Sequence, residues 1–259
     1  MYVPTHHPGS VFLELMAALA LSALALSAQT VAPVTRSTDT GRTVSVAAGR
    51  WSLHREIQTA VPLANRFFDE GLSLHYAYRH GDAVHAFREA QRVDPSCVMC
   101  ALGEAIALGP TIDAPMSVPA ETEAVAAVER ARQLLRDGVG GIAEAAWTRA
   151  VASRYSTDRT MSRATLDSAF AKSMGALADA YPLDADAQTL AAEAAMILTP
   201  YSYWAADMTA LPGTRRMVLR LKQAMRAAPG QHGACYFLVH VLEAVRPAAR
   251  CVDPRSARR

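Results

Sequence analysis

From Ala64 onward the apolar residues recur every three to four positions, and proline or glycine cuts the runs at short intervals. That period predicts amphipathic helices. The first unit is the clearest. Counting from Ala64, the fourth, eighth and eleventh positions hold Phe67, Gly71 and Leu74. The twentieth, twenty-fourth, twenty-seventh and thirty-second hold Ala83, Phe87, Ala90 and Pro95. Small residues at Gly71 and Ala83 let two antiparallel helices touch, while Phe67 and Phe87 fill the gap between neighbouring pairs. Pro95, which has no amide hydrogen to donate, ends the second helix.

The pattern continues in pairs. A second unit opens at Val98, with Leu102, Ala105 and Leu108 on its first helix, and residues 109–119 form an insertion that proline and glycine keep from being helical throughout. Residues 121–136 resume the helical period, and residues 142–155 and 164–181 follow as an antiparallel pair ended by Pro182. The interval from Pro182 to Pro229 is 47 residues, and removing the 13 residues 200–212 restores 34. Met217, Leu221 and Ala224 then fall on the small and large slots of a second helix. A last first-type helix is expected from about Gln231 to Ala244.

These slots, repeated at about 34 residues, resemble the tetratricopeptide repeat. The fold expected is all-α, a right-handed helical-repeat solenoid of about four repeats over residues 51–244, two of them with insertions between their helices. Abundant alanine and the scarcity of β-branched runs agree with it. The stretch from Asp94 to Met116 (DPSCVMCALGEAIALGPTIDAPM) resembles a signature of a large group of exported bacterial tetratricopeptide repeat proteins with no settled activity. Pro200-Tyr-Ser-Tyr-Trp204 and His240-Val-Leu-Glu-Ala244 resemble two more. Where that family reads His-Pro-Gly-Ala-x-His, this chain has Gln231-His-Gly-Ala-Cys-Tyr236, so Gln231 and Tyr236 replace two histidines. Family members continue with further repeats; relative to them this chain looks C-terminally truncated.

The ends differ from the middle. Residues 15–26 form an apolar stretch too short to span a bilayer, followed by the small residues Ser27, Ala28, Thr30 and Ala32. Residues 1–32 therefore read as a signal peptide and residues 33–50 as a flexible linker. Export to the periplasm or the exterior is expected, with no integral membrane domain after cleavage. Residues 245–259, with five arginines, two prolines and no apolar period, read either as a disordered basic tail or as out-of-frame sequence. A formal net charge of +2, with Lys172 and Lys222 the only lysines, argues against a nucleic-acid surface.

The candidate chemistry lies on the face that such repeats turn inward, at the second, fifth, ninth and twelfth positions of each first helix. Those residues are Asn65, Phe68, Leu72 and His75 in the first repeat, with Glu193 in a later one and Tyr236, His240 and Glu243 in the last. The leading function is a scaffold that binds a peptide or protein partner in this groove, which needs no cofactor and no catalytic group. Tyr201, Tyr203 and Trp204 read as a lid over the groove or as cover for the core. Glu193, His240 and Glu243 could alternatively hold a divalent metal, or form an ordinary ion pair. Cys97 and Cys100 are spaced as C-x-x-C at a helix start, suited to a local disulfide or to redox chemistry. His75, His80 and His85 do not share a helical face, with a turn expected at Gly81, and read as solvated. No phosphate loop, nucleophile–histidine motif or dinucleotide fingerprint is present.

Overall fold

The computed structural model describes residues 53–245 together with the backbone of 35–37 and 43–45. Among them are nine helices: α1 (Pro62–Tyr76), α2 (His80–Val93), α3 (Val98–Leu108), α4 (Val118–Arg136), α5 (Ile142–Ala152), α6 (Arg163–Ala180), α7 (Ala185–Leu198), α8 (Thr214–Ala227) and α9 (His232–Leu242). They pack as hairpins, α1 on α2, α3 on α4, α5 on α6 and α7 on α8, with α9 against α8. Neighbouring hairpins pack on one another as a helical repeat requires. Two short antiparallel strands, β1 (Thr35–Ser37) and β2 (Thr43–Ser45), lie in the segment read as linker. The segments read as signal peptide (1–32) and tail (245–259) lie outside the described residues, apart from Val245. No helix among the described residues is long and apolar enough to cross a membrane.

The helices start where side chains can satisfy their first amides. Cys97, Ser117, Ser162, Asp184 and Gln231 each accept a hydrogen bond from the first turn of the helix that follows. Pro119 was expected to close the first insertion. It sits instead in the first turn of α4, where a missing amide hydrogen costs nothing. The nonhelical insertions are thus 109–117 and 199–213.

Phe87 is the wedge of the first layer. A Cβ added at Gly71 would lie 2.8 Å from its ring, and one at Gly103 of the next hairpin 2.4 Å. Only bare backbone on both sides leaves room for the phenyl group, which is 1% exposed.

The first helices turn back on themselves. Helix α9 packs against α1 as well as against α7 and α8. The Tyr76 ring lies so close to α9 that a Cβ at Gly233 would come within 2.4 Å of it. Asp186 ties this closure together. It accepts from the Tyr76 hydroxyl at 2.9 Å, from Gln231 at 2.9 Å and from Arg55 at 3.1 Å. Arg55 also grips both oxygens of Asp184, at 2.6 and 2.9 Å, and stacks over Trp147. The segment before α1 is thereby clamped to α5 and α7.

Candidate functional site

The inner face is built at the turn between α1 and α2. Tyr78 donates its amide to the His75 carbonyl and Arg79 donates to Leu74, the paired bonds of a Schellman cap. The residue that must turn left-handed in such a cap is usually glycine. Here it is Tyr78, at φ 58°. For a side-chain-bearing residue that conformation costs on the order of 1 kcal/mol. What it achieves is to direct the tyrosine ring inward. The turn expected at Gly81 therefore lies at 77–79, and Gly81 is inside α2.

A line of rings follows. His75 and His80 have centroids 5.0 Å apart, His80 and Tyr78 5.4 Å, Tyr78 and Tyr236 5.0 Å, and Tyr236 and His240 4.5 Å. Phe237 backs the middle of the line against Tyr78 and Tyr236. His75 Nε2 lies 3.3 Å from Glu193 Oε2, and both side chains are buried. The sequence led us to expect His75 and His80 to be solvated; instead His75 is buried and both ring nitrogens of His80 are shut away from water. The turn at Tyr78 brings together two residues that a continuous helix would have separated.

Burial pushes the Glu193 carboxyl up, but the charge and hydrogen bond of His75 outweigh it and hold the group below the usual range. Burial, aided by the nearby His75 charge, lowers His80 to about 4. Tyr78 is raised by burial and then by the charge of Glu193, with Asp113 adding to it. Tyr203 and Tyr236 are likewise raised by burial, with Asp113 and Glu243 contributing to both. Several polar atoms in this neighbourhood are buried without a hydrogen-bond partner: His75 Nδ1, both His80 nitrogens, Tyr78 Oη and His240 Nδ1, the last 3.7 Å from Glu243.

The residues expected to line an open groove divide in two. Phe68, Leu72, His75 and Glu193 are buried, Phe68 against the Phe87 ring of α2 at 5.4 Å and His75 against Glu193. Asn65 is committed within the chain, donating to the Arg55 carbonyl at 2.9 Å. Tyr236, His240 and Glu243 stay near the surface, Tyr236 being 37% exposed. The three aromatics of the second insertion have separate fates. Tyr203 is buried, Trp204 donates to the Val241 carbonyl of α9 at 2.5 Å, and Tyr201 is exposed. Tyr201 donates to Asp113, so the two insertions meet at the mouth of the ring cluster.

The metal triad does not assemble. Glu193 is bonded to His75, while His240 Nδ1 and Glu243 Oε1 are 3.7 Å apart. Among the described residues no three His, Cys, Asp or Glu side chains are grouped to hold a metal ion.

Cys97 and Cys100 form a disulfide at the start of α3. They are 1% and 0% exposed, so no partner thiol reaches them in the folded state. That burial fits a brace.

No family model, curated protein or solved structure matches this chain.

Sequence reasoning missed Tyr78 and Asp113 and read His80 as solvated. The available signal was the turn Ala77-Tyr78-Arg79, which lacks the glycine a left-handed cap ordinarily takes.

Proposed function

We propose that the chain is a tetratricopeptide-like, right-handed helical-repeat scaffold, exported to the periplasm or the exterior. It binds a peptide or protein segment at the mouth of its curled inner face. The repeat slots from Phe67 to Pro95 support the architecture, and the apolar stretch at residues 15–26 supports export. The contact surface is Tyr236, His240 and Glu243 on α9, with Tyr78 behind them and Tyr201 and Asp113 of the two insertions at the rim.

The observation that carries this reading is Tyr78. A strained left-handed tyrosine, its hydroxyl buried and unpartnered, is an expensive choice where glycine would serve the turn. Strain of this kind collects where a binding surface needs a particular ring in a particular place. The shallow mouth suits a few side chains of an extended segment better than a whole helix. Metal or redox chemistry at Glu193, His240, Glu243 and the cysteine pair draws no support from donor geometry or disulfide burial.

Panning a random peptide library on the purified full chain tests the reading. Enriched peptides are expected, and Tyr236→Ala should weaken them at least about tenfold, as loss of a central aromatic contact does. Enrichment of nothing, or peptides that bind Tyr236→Ala equally well, would overturn it.

A further inference from the structure

The mouth has a definite electrostatic sign. Three carboxylates surround the ring line: Glu193 at its floor, Asp113 on the first insertion and Glu243 at the end of α9. The cationic groups facing it are already engaged. Arg154 contacts Asp167 at 3.4 Å, donates to the Pro110 carbonyl at 2.7 Å and lies over the Phe170 ring. His75 faces Glu193. Burial is the main reason that Tyr78, Tyr203 and Tyr236 resist ionisation, and the charges of Glu193, Asp113 and Glu243 add to it. A field that disfavours phenolate also disfavours an anionic ligand and favours a cation.

The rings point the same way. Tyr78, Tyr236 and His240 present successive aromatic surfaces within 5.0 Å of one another, and tyrosine faces attract cations. Among them, Tyr78 Oη is buried without a hydrogen-bond partner. An ammonium or guanidinium group brings donors and no acceptor, which suits a phenol oxygen without a partner beside rim carboxylates. The entrance is open beside Tyr236, the most exposed ring of the line.

We propose that this cluster is a recognition pocket for a basic side chain, the ammonium of Lys or the guanidinium of Arg, presented by the bound segment. It rests on the peptide-binding reading above and adds a chemical class to it. Tyr78, Tyr236 and His240 supply the aromatic walls. Asp113 and Glu243 supply charge at the rim, and Glu193 deepens the field from below.

The test uses the full chain with ring-labelled tyrosine and four blocked tripeptides, Gly-Arg-Gly, Gly-Lys-Gly, Gly-Leu-Gly and Gly-Glu-Gly, titrated to millimolar concentration by NMR. The two basic peptides are expected to shift the Tyr236 ring signals and to bind at least about tenfold more tightly than the other two. Asp113 is exposed, so Asp113→Asn should leave the fold intact while weakening the basic peptides several-fold. Equal binding of the leucine or glutamate peptide would overturn the proposal, as would no shift with either basic peptide or an unaffected Asp113→Asn. Library peptides that bind at Tyr236 without basic residues sink the cation pocket alone. A library that yields no binder sinks the peptide reading beneath it as well.

Discussion

Two buried glutamates, each on the first helix of its hairpin, have opposite surroundings. Glu104 on α3 faces the second helices and is fully engaged. Its oxygens accept from Arg88 at 2.7 Å, Gln91 at 2.8 Å and Arg130 at 2.5 Å, which ties α2, α3 and α4 together. Glu193 on α7 faces inward and has one long contact, to His75 at 3.3 Å. Around it lie imidazole and phenol groups with no partner. The same residue type therefore serves as a staple on one side and as the floor of an unsatisfied polar chamber on the other. Buried polar groups are ordinarily paired. The side that breaks the rule is the side to examine for binding.

Removing the staple gives the largest effect expected of this contrast. Glu104→Ala removes the acceptor shared by Arg88, Gln91 and Arg130, three charge-assisted hydrogen bonds, and should cost about 3 kcal/mol in urea unfolding. A cost below about 1 kcal/mol would erase the distinction.

The pH dependence comes next and belongs to the inner cluster. His80 is held at about 4 in the folded chain against an ordinary 6.5. The unfolded chain therefore binds the extra proton first, and stability present above pH 6.5 is lost as pH falls toward 4. Glu193, held below its ordinary value, adds a loss of the same sign at the acid end. The expected decline is about 3 kcal/mol, and His80→Phe should flatten most of it. The facing groups are His75, Glu193, Arg154 and Asp113, so an unchanged profile in His80→Phe would assign the decline to one of them.

Glu193→Gln should cost under about 1 kcal/mol, because a single long contact is exchanged for a neutral one. Smallest of all, Tyr78→Phe removes a buried hydroxyl without a hydrogen-bond partner and should leave stability within about 0.5 kcal/mol, or raise it. A large loss there would mean that the chamber is as tightly satisfied as the staple.

Much of the helical order was legible, because it is written in local chemistry. Gly71 and Phe87 name each other by spacing alone, and the prolines after α2, α6 and α8 mark their ends. The insertions were readable as departures from a fixed period. The inner face was not readable in the same way. Whether Phe68, Leu72, His75 and Glu193 line an open groove or sit in a core depends on how far successive hairpins rotate. That rotation accumulates over the array and is fixed by no single residue. The meeting of Tyr76, Asp186, Gly233 and Gln231 joins positions far apart in sequence, so no local periodicity encodes it. Tyr78 escaped notice for another reason: its role depends on a backbone conformation that its own residue type disfavours.

The contact of α9 with α1 also changes what kind of object unfolds. An open array melts from its ends, each unit leaning only on its neighbours, and can shed a terminal unit while the rest persists. Here the first and last described helices share Tyr76 and Gly233, so fraying at either end exposes the other. Residues 53–245 should accordingly melt in one sharp step, with a steep denaturant slope for their length.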